Sequence, residues 1–114
     1  MKIERFENII AWQKGKDLIV EIYKLFKNNR DFSFVDQIKR ASVSICNNIA
    51  EGFERKSNNE LRHFLFIAKG SSGEVRSMLY IAKDLRYINE KDFESKSGLA
   101  LEVSKILSGL IKTL

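Results

Sequence analysis

Apolar residues return along this chain at the spacing of an α-helix, in four successive stretches. In the first, Ile9, Ile10, Leu18, Ile19, Ile22, Leu25 and Phe26 recur at helical intervals. They predict a helix from about Asn8 to Asn28, with Asn8 as its N-cap. Gly15 inside it costs about 1 kcal/mol relative to alanine, so this helix must draw its stability from packing. Asn28-Asn29-Arg30-Asp31 reads as a polar turn. A second helix is expected from near Ser33, whose hydroxyl is placed to cap the amide of Asp36, to the region Gly52 to Arg55, where Gly52 lets the chain relax. The third has the clearest start. Ser57-Asn58-Asn59-Glu60 is a capping box, and Leu61, Phe64, Leu65, Ala68, Val75, Leu79 and Ala82 then hold one face as far as about Arg86. Gly70 to Gly73 reads GSSG, poor for a helix by propensity, and leaves a break possible there. The apolar phase from Leu65 through Ala68 and Ser72 to Val75 is unbroken, which favours one continuous helix. After a turn at Tyr87 to Asn89, Asn89 can cap a fourth helix with Asp92 in its first turn and a stripe of Phe93, Leu99, Val103, Ile106, Leu107, Leu110 and Leu114. Four amphipathic helices joined by short turns pack antiparallel, up-down-up-down. The expected fold is therefore all-α, a single four-helix-bundle domain over residues 1–114.

Two of the polar faces invite a functional reading. On the second helix, stepping about 100° per residue puts Val35, Ile38, Ala41, Ser42, Ile45, Cys46, Ile49, Ala50 and Phe53 in one arc. Gln37, Arg40, Ser44, Asn47, Asn48 and Glu51 fall on the other side. That row is rich in amides and hydroxyls, which both donate and accept hydrogen bonds. It suits a solvated face, a hydrogen-bonded seam between helices or subunits, or a small-molecule site. On the third helix Arg62, Lys69, Arg76 and Lys83 are spaced by seven. They climb one side at about 10.5 Å per step, interleaved with Phe66, Gly73 and Tyr80. A plain solvated face would also look like this. Repeated in an oligomer, however, such a ridge can neutralise phosphates. Phe66 and Tyr80 offer either stacking or a subunit contact there; two aromatic rings left exposed suggest a partner that covers them, and both are candidates for a subunit seam.

Composition changes the picture only modestly. At 44% apolar residues, with eight phenylalanines, the chain can bury a core. It has no apolar run long enough to span a membrane, so no membrane partner is expected. The beginning, MKIERFEN, is charged and unlike a signal peptide. The one cysteine, Cys46, lies on an apolar face and reads as a core residue, which suits the cytoplasm. Trp12, the one tryptophan, reads as an anchor in the core or at a subunit contact. A net charge of +5 favours acidic partners, nucleic acid first.

Chemistry is not indicated. His63 is the one histidine, and Glu60-Leu61-Arg62-His63 has the Glu-x-x-His spacing of di-iron bundles in a single copy only. No catalytic residue, metal site or cofactor is expected. The glycines at 70 and 73 have no preceding strand and no lysine at phosphate-loop spacing.

DQIKRASVSICNNIAEG at 36–52, FLFIAKGSSGEVRSMLYIAKDL at 64–85 and AWQKGKDL at 11–18 together resemble the 23S rRNA intervening-sequence proteins. The resemblance covers nearly the whole chain. It implies an antiparallel four-helix bundle that assembles into a homo-oligomeric ring, typically a pentamer. It also implies that Gln37, Arg40, Ser44, Asn48 and Glu51 are structural, forming the seam of bundle or ring. A related branch consists of accessory proteins of diversity-generating retroelements, whose basic ring contacts a reverse transcriptase and nucleic acid. Two departures touch loops: the first turn lacks the proline common in the family, and Arg86 stands where a glycine is frequent. The combined expectation is a cytoplasmic, non-enzymatic homo-oligomer that binds RNA or DNA without sequence preference, as an accessory to a protein partner such as a reverse transcriptase. The rival is a protein-interaction scaffold with no affinity for nucleic acid.

Overall fold

Each predicted helix forms, and the differences lie at their ends. A computed structural model describes residues 3–114. A short 3-10 turn at Phe6–Asn8 leads into α1 (Ile10–Leu25), followed by α2 (Phe32–Phe53), α3 (Asn58–Asp84) and α4 (Glu90–Lys112). No strand occurs among the described residues. Contacts between neighbouring helices run in opposite senses along the chain. Lys14 reaches Glu102 while Lys96 reaches Glu21, and Ser72 meets Ala100 while Lys83 meets Glu90. The helices therefore alternate up and down in a bundle measuring 43 × 22 × 19 Å. At 27 residues, α3 spans nearly the full length, with no break at Gly70 to Gly73. None of the described helices is long and apolar enough to cross a membrane.

The core follows the apolar stripes. Leu18, Ile22, Ile38, Ile45, Ile49, Leu65, Leu79 and Leu107 are fully buried, each contributing roughly 1.5–3 kcal/mol. The two buried serines are satisfied: Ser42 Oγ donates to the Lys39 carbonyl at 2.8 Å and Ser72 Oγ to the Ala100 carbonyl at 2.7 Å. Cys46 is buried as expected, its thiol donating to the Trp12 carbonyl at 3.3 Å, and burial pushes its pKa up to about 12.

Three local expectations are corrected. Asn8 does not cap α1; the N-cap position is Ile9, which makes no side-chain cap. The preceding turn is tied down instead by Gln13, whose amide donates to the Glu7 carbonyl at 2.8 Å. Asp31, not Ser33, caps α2, accepting from the Phe34 amide at 3.2 Å. The reason is tertiary: the Tyr87 hydroxyl donates to the same carboxylate at 2.6 Å, across 56 residues of sequence, and holds it in place. Gly52 does not loosen the end of α2. It lies within the helix, where a Cβ would stand 2.6 Å from Phe64 Cβ, so its bareness allows α3 to approach. Gly15 has a similar role toward α2, where a Cβ would stand 2.9 Å from Cys46 Sγ.

The Ser57 and Asn89 side chains cap as expected, accepting from the amides of Glu60 and Asp92; the reciprocal half of the Ser57 box does not form, because the Glu60 carboxylate accepts from the Ser57 hydroxyl instead of a backbone amide. Arg86 stands at a position whose backbone favours glycine. With φ of 62° it occupies the left-handed region. The Tyr87 amide donates to the Ala82 carbonyl and the Arg86 amide to the Lys83 carbonyl, the Schellman arrangement that usually ends on glycine.

Candidate nucleic-acid interface

The seven-residue spacing on α3 sets its four cations along the flank that faces α4, but their surroundings divide them. Arg62 donates to Asn59 Oδ1 at 2.9 Å and to the Leu114 carbonyl. Lys83 sits 3.7 Å from the Glu90 carboxylate and lies over the rings of Phe93 and Tyr80 at 4.3 and 5.6 Å. Both are engaged within the chain. Lys69 and Arg76 have neither an ion pair nor a side-chain hydrogen bond among the described residues, and Arg76 Nε is buried without an acceptor.

α4 supplies the facing bank. Lys105 and Lys112, also seven apart, turn toward Lys69 and Arg76 across a groove of about 530 Å³ that Gly73, Leu101, Ser104, Ser108 and Gly109 complete. No carboxylate lines it. Lys105 and Lys112 likewise form no ion pair among the described residues. Sequence reasoning missed these two lysines, although the spacing that flagged the α3 row was there to flag them as well. At physiological salt the screening length is about 8 Å, so cations on opposite banks of one groove still add their fields.

The polar row of α2 is also divided. Ser44 Oγ lies 2.9 Å from Ser71 Oγ of α3, and the Asn48 amide donates to the Ser44 carbonyl and hydroxyl at 2.8 and 2.9 Å. Ser44 joins α2 to α3, and Asn48 braces Ser44 from within α2. The others face solvent: Gln37 is exposed, Arg40 Nε donates to Asp36 at 2.8 Å, and Glu51 accepts from Arg55 at 2.7 Å. Tyr23, Asp36, Lys39, Arg40 and Glu51 line a groove of about 620 Å³ between α1 and α2, with Lys39 over the Tyr23 ring at 4.6 Å. Phe66 and Tyr80 remain 53% and 51% exposed, and Ile67, Ile81 and Leu85 are also exposed on the molecule's longest helix or just past its end. Tyr80 packs edge-on against Phe93 at 4.7 Å, whereas no aromatic ring or cation packs on Phe66 among the described residues. His63 is exposed beside Phe64. Among the described residues no three His, Cys, Asp or Glu side chains gather where they could hold a metal ion.

The model of the 23S rRNA-intervening sequence protein family matches residues 7–109. The chain belongs to that family. The match of this intervening-sequence protein takes in all of α1 to α3 and both banks of the basic groove except Lys112. It is similar to a crystal structure of a protein of unknown function from the S23 ribosomal protein family of Bacteroides thetaiotaomicron VPI-5482. The two share 27% identity and a TM-score of 0.85, over 90% of this chain and 99% of that one. None of the curated proteins searched matches the chain.

Proposed function

We propose that this intervening-sequence protein is a non-enzymatic, homo-oligomeric bundle of the cytoplasm that holds RNA or DNA without sequence preference. Its contact surface is the α3–α4 groove, with Arg62 and Lys83 at the margins of the α3 row. The observation that carries the reading is the set of four cations, Lys69, Arg76, Lys105 and Lys112, on two facing banks with no acid among them. Free cations on a rigid frame are what a phosphate backbone needs, and binding releases its condensed counterions. Self-association rests on the apolar side chains that α3 leaves uncovered, Ile67, Tyr80, Ile81 and Leu85. A ring of five would bring five such grooves together and multiply weak contacts. A reverse transcriptase or another nucleic-acid enzyme is a fitting protein partner for such a ring.

Changing Lys69, Arg76, Lys105 and Lys112 together to glutamine tests the reading. Helix content and melting should be preserved: Lys69, Lys105 and Lys112 are exposed, and half-buried Arg76 makes no hydrogen bond that glutamine would break. The slope of log affinity for a single-stranded RNA against log salt should fall by about 3. A variant that binds as the parent does at every salt concentration removes the groove from the mechanism. The scaffold reading is favoured by the same exposed apolar residues on α3. It requires that no RNA or DNA be retarded in a gel by the parent protein at moderate salt.

A further inference from the structure

We infer that the α3–α4 groove takes one unpaired nucleic-acid strand, and that Phe66 is the platform on which a base of that strand stacks. This rests on the nucleic-acid reading above and adds the form of the ligand.

The register of the two helices sets the ladder. Ser72 meets Ala100 and Arg62 meets Leu114, so Lys69 stands roughly level with Lys105, and Arg62 roughly level with Lys112. Arg76 lies two turns further along α3. Successive levels are about 10.5 Å apart. Neighbouring helices pack with their axes about 8–10 Å apart, so the two banks lie close enough for the phosphates of one strand to reach both. Gly73 keeps the floor open, since a Cβ there would meet nothing within 4 Å.

Phe66 stands outside the groove lining, at its rim, seven residues before Gly73 and one turn from both Arg62 and Lys69. Its ring is 53% exposed. Tyr80, the other exposed ring on this flank, is engaged by Phe93 and Lys83. Phe66 is the ring left with a free face beside the cations. In the interior of a duplex both faces of each base are stacked on neighbours, and a protein ring finds no free face there. In an unpaired strand the base faces are free, and a ring flanked by cations is the arrangement that holds such strands.

The test uses two fluorescein-labelled probes of equal length at one salt concentration, an oligo(dT) strand and a mixed-sequence blunt duplex, with anisotropy as the readout. The parent should bind the strand more tightly than the duplex. Phe66→Ala should weaken strand binding about tenfold, leave the duplex unchanged, and leave melting temperature and solution mass as in the parent. Phe66→Tyr should restore strand binding. Equal or tighter binding of the duplex, or an equal loss on both probes with Phe66→Ala, overturns the single-strand inference and leaves the nucleic-acid reading standing. A change of solution mass with Phe66→Ala also overturns it and gives the ring to a subunit seam. If neither probe binds the parent, the nucleic-acid reading falls and this inference falls with it.

Discussion

The α1–α2 groove and the α3–α4 groove are similar in size, about 620 and 530 Å³, and both are lined by long cationic side chains. They differ in what surrounds the charge. In the first, Asp36 and Glu51 share the lining with Lys39 and Arg40; Arg40 is bonded to Asp36, and Lys39 lies on Tyr23. In the second, four cations share the lining with serines, glycines and a leucine, and no acid is present. A net charge of +5 is therefore a poor guide to where a polyanion would bind. Pairing decides: the first groove has neutralised itself, and the second has its cations free.

The largest expected effect comes from breaking this contrast directly. The quadruple glutamine variant of the α3–α4 groove should bind single-stranded RNA roughly 100-fold more weakly at physiological salt, given about four phosphate contacts. Lys39→Gln with Arg40→Gln, in the other groove, should change affinity less than twofold. Equal losses in fluorescence titrations would mean that the grooves are equivalent and that pairing is irrelevant.

A second comparison concerns the glycines that frame the two halves of the molecule. Gly52→Ala should destabilise the fold by about 1–3 kcal/mol, because the new methyl would meet the backbone-proximal Cβ of Phe64. Gly73→Ala in the open groove should be neutral or stabilising by up to about 1 kcal/mol, from helix propensity alone. Urea unfolding of both variants checks this; a Gly73→Ala loss as large as that of Gly52→Ala would mean that the groove floor is packed.

A gentler change sharpens the role of pairing. Asp36→Asn together with Glu51→Gln removes the acids from the α1–α2 groove and frees Arg40 and Arg55. If compensation is what silences that groove, the variant gains several-fold in affinity for RNA and a steeper salt dependence. Unchanged titrations would show that geometry, rather than charge balance, separates the two surfaces.

The smallest effect concerns the link between the two hairpins that own these grooves. Tyr87, just after α3, donates to Asp31 at the start of α2. That hydroxyl first, and the Phe34 amide second, hold the Asp31 carboxyl below its ordinary range. A carboxyl depressed by folding contributes stability that is full above its unfolded value and is lost as pH falls through the folded one. Tyr87→Phe should therefore lower the melting temperature at neutral pH, and the gap to the parent should close in acid, below about pH 4. A gap of constant size across that range would show that the bond carries no linkage to Asp31.

Several things were legible in the sequence because they depend on residues close together along the chain. Apolar periodicity outlined four helices. The Ser57 and Asn89 caps, the continuity of α3 through Gly70 to Gly73, and the place of Cys46 in the core followed from the same local rules. The family resemblance rested on runs in α1, α2 and α3 that the family match then covered. Half of the site was legible too, since the spacing of Lys69 and Arg76 put them on one flank.

What lay beyond local rules was decided by contacts between helices. Asp31 rather than Ser33 caps α2 because Tyr87 arrives from the other hairpin. Gly52 and Gly15 are bare because a neighbouring helix presses on them, which helix propensity cannot register. Arg62 and Lys83 looked equivalent to Lys69 and Arg76 until folding brought up Leu114, Glu90 and Phe93 beside them. The sequence by itself determined four two-faced helices and a surplus of positive charge. Only the tertiary structure decided which charges are spent on partners within the chain and which stay free, because screening and pairing depend on distances of a few ångströms between residues far apart in sequence.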